Sequence, residues 1–324
     1  MNPARIRLPG HPDAACDMVA EAIVDEYMRR DPDTRIALSV IGGRGALFVA
    51  GDVISAADFD VAQIIQRTLG TIGIGTELEP FVSLEPVVGE RATLFRNGAE
   101  APVVVIGYAT RETEEMIPTS LVLAKTIVKE LDLRRRTDEV WFWLGADGEV
   151  HVGERISIRV EHSAKPIEDV RREISALVEK IAPRHDVRVN ELGSDEVRGI
   201  GNVMGASGRD IHPYGSALPS TPSSIGLDIS RAEKAGAWLA RAAARNLVTR
   251  GAQAALVRVT YLPGERMPAH LEARDEKGRD LSRELARESL ALDRVTHEWR
   301  CSNLCADASR WGFAGELDLP WEEG

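Results

Sequence analysis

Arg35-Ile36-Ala37-Leu38-Ser39-Val40, then Ile41-Gly42-Gly43-Arg44-Gly45, then Ala46 through Ile54 is the stretch that sets the fold class. Both flanks are rich in β-branched and apolar residues, and three glycines lie between them, so the stretch predicts a β-hairpin. Upstream, Val19, Ile23 and Tyr27 recur every four residues across Ala14 to Arg30. That spacing predicts a helix, which Asp31-Pro32 stops. Downstream, Val61, Ile64, Ile65 and Leu69 put an apolar face on a helix from Asp58 to Leu69, and the glycine-punctuated run from Thr71 leads to a strand at Phe81. The unit is helix, strand pair, helix.

The unit recurs. Ile117, Leu121, Ala124, Val128 and Leu131 mark a second opening helix. Val140 to Leu144, with the segment from Asp147-Gly148 through Val160, predicts a second strand pair, and Ile167 to Ile181 its closing helix. A third round runs through a helix from Ser230 to Arg250, strands from Ala254 to Tyr261 and Ala269 to Ala273, and a helix from Leu281 to Leu292. Three rounds at roughly hundred-residue spacing predict an α+β fold of three related units in a pseudo-threefold arrangement. The units are read as residues 1–95, 96–190 and 191–324, interleaved with one another. Two stretches break the rhythm, Arg91 to Pro102 and Gly199 to Gly226. The second is either a surface linker or a functional loop. It holds Gly205-Ala206-Ser207-Gly208-Arg209, a glycine-flanked arginine able to close over phosphates.

The chain has 324 residues, 44% hydrophobic and 28% charged, with a formal net charge of -11. A diffuse acidic surface argues against nucleic acid or an anionic membrane as the main partner, so any phosphate site must be locally basic. No apolar run approaches transmembrane length, and Met1 to Gly10 is too short and polar for a signal peptide. Three cysteines, an odd number, suit a reducing cytosol and predict a cytoplasmic protein.

Gly10-His11-Pro12-Asp13 opens the first helix. Helix N-termini attract anions, because their first amides are unpaired and the dipole places partial positive charge there. His11 can donate a hydrogen bond to a phosphate oxygen, and Asp13 can hold a Mg²⁺ shared with the same phosphates. The plain alternative is that Pro12 and Asp13 merely start a helix.

Several motifs together resemble the S-adenosylmethionine synthetases (methionine adenosyltransferases). They are Gly10-His11-Pro12-Asp13 with Asp17 and Asp25; Val49-Ala50-Gly51-Asp52; Gly107-Tyr108-Ala109-Thr110-Arg111-Glu112-Thr113 before Ile117-Pro118; Gly208-Arg209; Ser230 to Val248; Phe313-Ala314-Gly315; and Pro320-Trp321-Glu322. The resemblance implies that a sulfur of methionine, or of another thioether, attacks C5′ of ATP. The triphosphate then leaves and is hydrolysed in the same site. It implies His11 and Arg209 as catalytic residues, and His11, Arg209 and Lys234 as nucleotide-binding residues. Asp13 would hold Mg²⁺, and Asp52 and Asp147 would bind the substrate. It further implies a monovalent cation and a homodimer whose active sites form between subunits.

The departures are as informative. The family's lysine after the opening tetrapeptide is Ala14, and the glutamate that holds its monovalent cation falls at Ser39. An aspartate is replaced by Ala101, and two lysines by Asp210 and Leu227. The metal-binding aspartate of the phosphate loop is missing from Gly205-Ala206-Ser207, and the central-unit lysine has no clear counterpart after Asp147. Losing one preorganised charge stabiliser costs about 3 kcal/mol. Three independent losses come to about 9 kcal/mol, more than a millionfold in rate. Arg44, Arg91, Arg96 and His212 are the candidate replacements. Two expectations follow. One is a divergent adenosyltransferase. The other is an impaired paralogue that binds nucleotide, or regulates an orthodox synthetase as a heteromer. Outside the resemblance, His297, Cys301 and Cys305 share a helix face at spacings of four. They are read either as soft ligands for Zn²⁺ or as small buried residues.

Overall fold

The computed structural model describes residues 2–75, 78–88, 98–196, 199–295, 303–316 and 318–323. The hairpin is present. Strands β2 (Arg35–Gly43) and β3 (Ala46–Ile54) pair antiparallel with Val40 opposite Val49, and the turn places Arg44 and Gly45 at positive φ. After β3 the chain crosses through α2 (Val61–Thr71) and returns as β4 (Glu79–Pro86), parallel to β3. Parallel neighbours need such a crossover, and here it is the helix read from the sequence.

Two further sheets draw strands from distant parts of the chain. One has the order β1 (Ala4–Arg7), β6 (Leu144–Val152), β7 (Ile156–His162), β8 (Val187–Val189), with Ala4 opposite Val152. The other has β10 (Ala254–Tyr261) between β11 (His270–Asp275) and β5 (Val103–Thr110). Helices α3 (Thr119–Thr137) and α4 (Ile167–Ile181) pack on the β1–β8 sheet, and α5 (Ala232–Thr249) on the β5–β11 sheet. Near the hairpin, β9 (Gly205–Ala206) adds itself to the edge of β2. None of the described helices is long and apolar enough to cross a membrane.

Two sequence expectations are corrected. Val140 to Leu144 is not a strand: Glu139–Trp141 is a 3₁₀ turn, started by the Asp138 side chain accepting from the Val140 amide at 3.0 Å, and β6 begins only at Leu144. Leu281 to Leu292 is not a helix but 3₁₀ turns at Ser282–Glu284, Arg287–Leu290 and Leu292–Arg294. Leu290 and Leu292 are both buried, yet residues two apart on a helix point to different sides, so the backbone breaks to turn both inward.

Helix α1 (Pro12–Arg30) is buried around most of its circumference, between the hairpin sheet, α2 and α6 (Leu304–Trp311). Its buried face carries Asp13, Asp17, Glu21 and Asp25 at four-residue intervals. Each carboxylate holds a segment that returns from far along the chain. Asp13 and Asp17 accept from the amides of Ala206 and Gly208 (3.0 and 2.7 Å), and Glu21 takes Lys234 at 2.5 Å and the Gly226 amide at 3.2 Å. Asp25 accepts from the Cys305 and Ala306 amides at 3.2 and 2.8 Å, which serves the unpaired first turn of α6. At the C-terminal end, Glu322 joins Arg241 and Arg245 at 2.7 and 3.0 Å while Trp321 stacks on Trp238 at 3.9 Å, fixing the last residues to α5.

Candidate active site

The opening tetrapeptide sits where α1 meets the loop of β6. Gly10 donates its amide to Ala146 O at 3.1 Å, and a Cβ at Gly10 would lie 2.4 Å from Ala146 Cβ. Only glycine allows that approach. His11 is the N-cap of α1, and its Nδ1 accepts from the Asp13 amide at 3.2 Å. A ring nitrogen that accepts carries no proton, so the neutral ring bears its hydrogen on Nε2. Burial holds the imidazole down at about 4, against the opposing pull of Asp147. His11 is therefore neutral at pH 7 and has one N–H to donate.

The long loop after residue 199 folds onto this helix start. A Cβ at Gly205 would lie 2.1 Å from Pro12 O, so β9 can lie against the first turn only as glycine. The Arg209 guanidinium then meets Asp13 Oδ1 at 3.0 Å. A second guanidinium, Arg7 at the end of β1, faces Asp13 Oδ2 at 3.5 Å and Asp210 at 3.7 Å. Burial lifts the Asp17 carboxyl to about 7. His11, Asp13 and Arg209 are thus brought together, with Arg7 as a cation that no sequence motif announced. Its signal was position: β1 ends three residues before Gly10.

A cleft of about 490 Å³ opens beside Gly10, walled by Gly45, Gly73, Gly145, Ala146 and Gly199, with Glu161 and Glu196 on its polar side. Glycine walls let a ligand approach backbone amides closely. A groove of about 560 Å³ on the hairpin sheet holds Asp52 with Ser39, Glu85, Ser207 and Gly208.

The remaining sequence candidates lie elsewhere. Asp147 is buried and bound twice by Arg159, at 3.0 and 3.2 Å, and it also accepts from the Gly199 amide. Its carboxylate is spent inside the protein, although its charge acts on His11. Lys234 does not line the cleft; it is buried against Glu21. Arg44 donates to Asn202 O at the hairpin tip, and His212 is exposed. Arg91, Arg96, His297 and Cys301 lie outside the described residues; Cys305 is buried beside Asp25. Among the described residues no three His, Cys, Asp or Glu side chains converge as a metal site.

Comparison with known proteins gives the same direction. Residues 8–85 match the S-adenosylmethionine synthetase N-terminal domain, and residues 96–189 the central domain of the same enzymes. Together these cover more than half of the chain. The S-adenosylmethionine synthase of Aquifex aeolicus is 23% identical over 97% of this chain and 94% of its own length. S-adenosylmethionine synthase 1 of Frankia casuarinae is 27% identical over 81% of this chain and 78% of its own, and the synthase of Chlorobium phaeobacteroides 25% over 81% and 77%. The ordered set of motifs, the three sheets and both domain matches agree: the chain belongs to the S-adenosylmethionine synthetase family.

Proposed function

We propose that the chain transfers the adenosyl group of ATP to the sulfur of methionine or another thioether. The observation that carries this reading is a neutral His11 with a free N–H at the start of α1. Two guanidiniums stand beside it and a glycine-lined cleft adjoins it. In the proposed step a sulfur lone pair attacks C5′, the C5′–O5′ bond breaks, and triphosphate leaves with the bonding pair. Water then splits the triphosphate into pyrophosphate and phosphate. His11 Nε2–H donates to the leaving oxygen, and Arg209 and Arg7 spread the charge that grows there. In this reading Asp52, which lines the groove on the hairpin sheet, receives the substrate's amino group. Asp147 contributes through its field on His11 rather than by contact. A nucleotide contact from Lys234 would require breaking a buried ion pair, which costs about 3–5 kcal/mol.

Asp13 fits Mg²⁺ in the usual manner, one or two carboxylates plus substrate phosphates. Arg209 must then release Oδ1 and turn to the phosphates. The ion supplies charge neutralisation of the polyphosphate. We place the reaction in the cytosol, where ATP and reduced thioethers meet, and expect a homodimer. The exposed Ile41, Phe48 and Phe81 of the hairpin sheet, with the two phenylalanines stacked at 4.9 Å, support self-association. The experiment is incubation of pure protein with ATP, Mg²⁺ and methionine, followed by assay for S-adenosylmethionine, triphosphate and phosphate. Product should form with methionine or a related thioether; no product with any of them would end the catalytic reading.

One observation favours a second reading, a nucleotide-binding or regulatory subunit of an orthodox synthetase. Three charged groups that the resemblance assigns to the site already have internal partners: Asp13 with Arg7 and Arg209, Asp147 with Arg159, and Lys234 with Glu21. Activation of an orthodox synthetase on mixing, with no activity of this chain alone, would select it.

A further inference from the structure

The charged side chains that line the glycine-walled cleft beside Gly10 have one sign. Glu161 and Glu196 line it, and among the described residues no lysine or arginine does. The backbone fixes where the Glu161 carboxylate stands. It accepts from the Asp147 amide at 3.4 Å. A Cβ at Gly145 would lie 2.5 Å from Glu161 Oε2, and one at Gly199 3.8 Å. Gly145 and Gly199 are themselves cleft walls, so the carboxylate stands at the cleft surface, and residue 145 leaves it room only as glycine.

Behind the wall the balance is the same. One guanidinium, Arg159, serves three carboxylates, Asp147, Glu149 and Asp195, at 3.0, 3.4 and 3.2 Å. The cations at the helix start, Arg7 and Arg209, sit on Asp13, and neither lines the cleft. The site therefore has two electrostatic parts: guanidiniums at Asp13 and carboxylates in the cleft. A polyphosphate is attracted to the first and repelled by the second.

The proposed reaction makes a charge that suits the second part. As the sulfur lone pair forms the S–C5′ bond, the C5′–O5′ bond breaks and its electron pair leaves on the triphosphate. The sulfur is then a sulfonium cation. Its charge is absent from the thioether and grows along the reaction, so a fixed carboxylate beside it favours the transition state over the ground state. We propose that the cleft holds the adenosyl–sulfur end of the reactants and that Glu161, with Glu196 adding to its field, stabilises the sulfonium. The phosphates then lie toward Arg7 and Arg209. This inference rests on the adenosyl-transfer reading of the site and names two residues that no sequence motif singled out.

Calorimetric titration of the full chain with S-adenosylmethionine and with S-adenosylhomocysteine tests the proposal, since the second carries a neutral thioether in place of the sulfonium. The parent chain should bind the sulfonium about tenfold tighter or more. Glu161→Gln keeps the shape of the side chain and removes its charge. It should abolish most of the preference by weakening the sulfonium alone, and should lower kcat while leaving KM for ATP unchanged. Equal binding of the two compounds by the parent chain, binding of neither, or a preference that survives in Glu161→Gln would overturn the proposal. The first two outcomes need no variant, so they decide the matter if Glu161→Gln does not fold. A preference for the sulfonium without turnover would support the sulfonium site and end the catalytic reading; turnover without a preference would do the reverse.

Discussion

At the scale of single residues, His11 decides between a catalytic and a merely structural helix start. Its Nδ1 caps the helix and its Nε2–H is left to donate, so both readings are present in one side chain. His11→Ala should slow turnover about a hundredfold, the effect of losing a transition-state hydrogen bond of about 3 kcal/mol. Nucleotide affinity should fall much less, because ground-state phosphate binding is shared with helix amides and two arginines. Turnover, affinity and thermal midpoint measured together check this; a lowered midpoint with full turnover would make the tetrapeptide structural. Gly205→Ala tests the junction from the other side. Its Cβ would collide with Pro12 O, so the loop must retreat and Arg209 must leave Asp13. Turnover should drop as for a loss of Arg209 itself, and equality with Arg209→Ala in the same assay is the expected result. The tetrapeptide and Arg209 were legible because local chemistry marks them: a helix start and a glycine-flanked arginine. Arg7 was not, since an arginine at a strand end has no local signature.

At the scale of elements, α1 is the helix that the rest of the chain returns to. Acids at four-residue spacing usually mark a solvated face, so their burial was not legible from the helix alone. Their partners lie about two hundred residues or more away in the chain. The burial has a pH signature. Asp17 and Asp25 are lifted by burial from 3.8 to about 7. Between those values the folded chain keeps protons that the unfolded chain has released, so stability falls as pH rises through the window. His11 acts the other way, since burial lowers it from 6.5 to about 4 and the unfolded chain then binds the extra proton. Asp25→Asn removes one of the two carboxyls. Its stability relative to the parent chain should improve from pH 4 to pH 8, by at most about 4 kcal/mol for a three-unit shift. Thermal midpoints of both chains across that range give the difference, and a flat difference would contradict the account. The last element behaves differently. Glu322→Ala would leave Arg241 and Arg245 buried without their shared anion, so a loss of about 3–5 kcal/mol in a denaturant titration is expected.

At the scale of the whole molecule, the first hairpin and most helix faces were legible, while the second strand pair was misplaced at Val140 to Leu144 and the third round lacks its closing helix. The exchange of strands that builds the sheets was not spelled out. β1 pairs with β6 and β5 with β10, and such pairings across long stretches leave no periodic trace in either strand. The stretch from Leu281 to Leu292 forms 3₁₀ turns because its leucines follow the demands of the core rather than a helical period. This architecture brings the start of α1, the end of β1 and the 205–209 loop to one place, where we propose that adenosyl transfer happens. The most direct measurement follows the carbon that changes partners. The protein is incubated with Mg²⁺, methionine and ATP labelled with ¹³C at C5′, and the carbon resonance is recorded. The label is expected to move from oxygen to sulfur as phosphate is released, and His11→Ala is expected to slow both together. Phosphate release with the label still on oxygen, or a C5′–S bond formed at the same rate without His11, would contradict it.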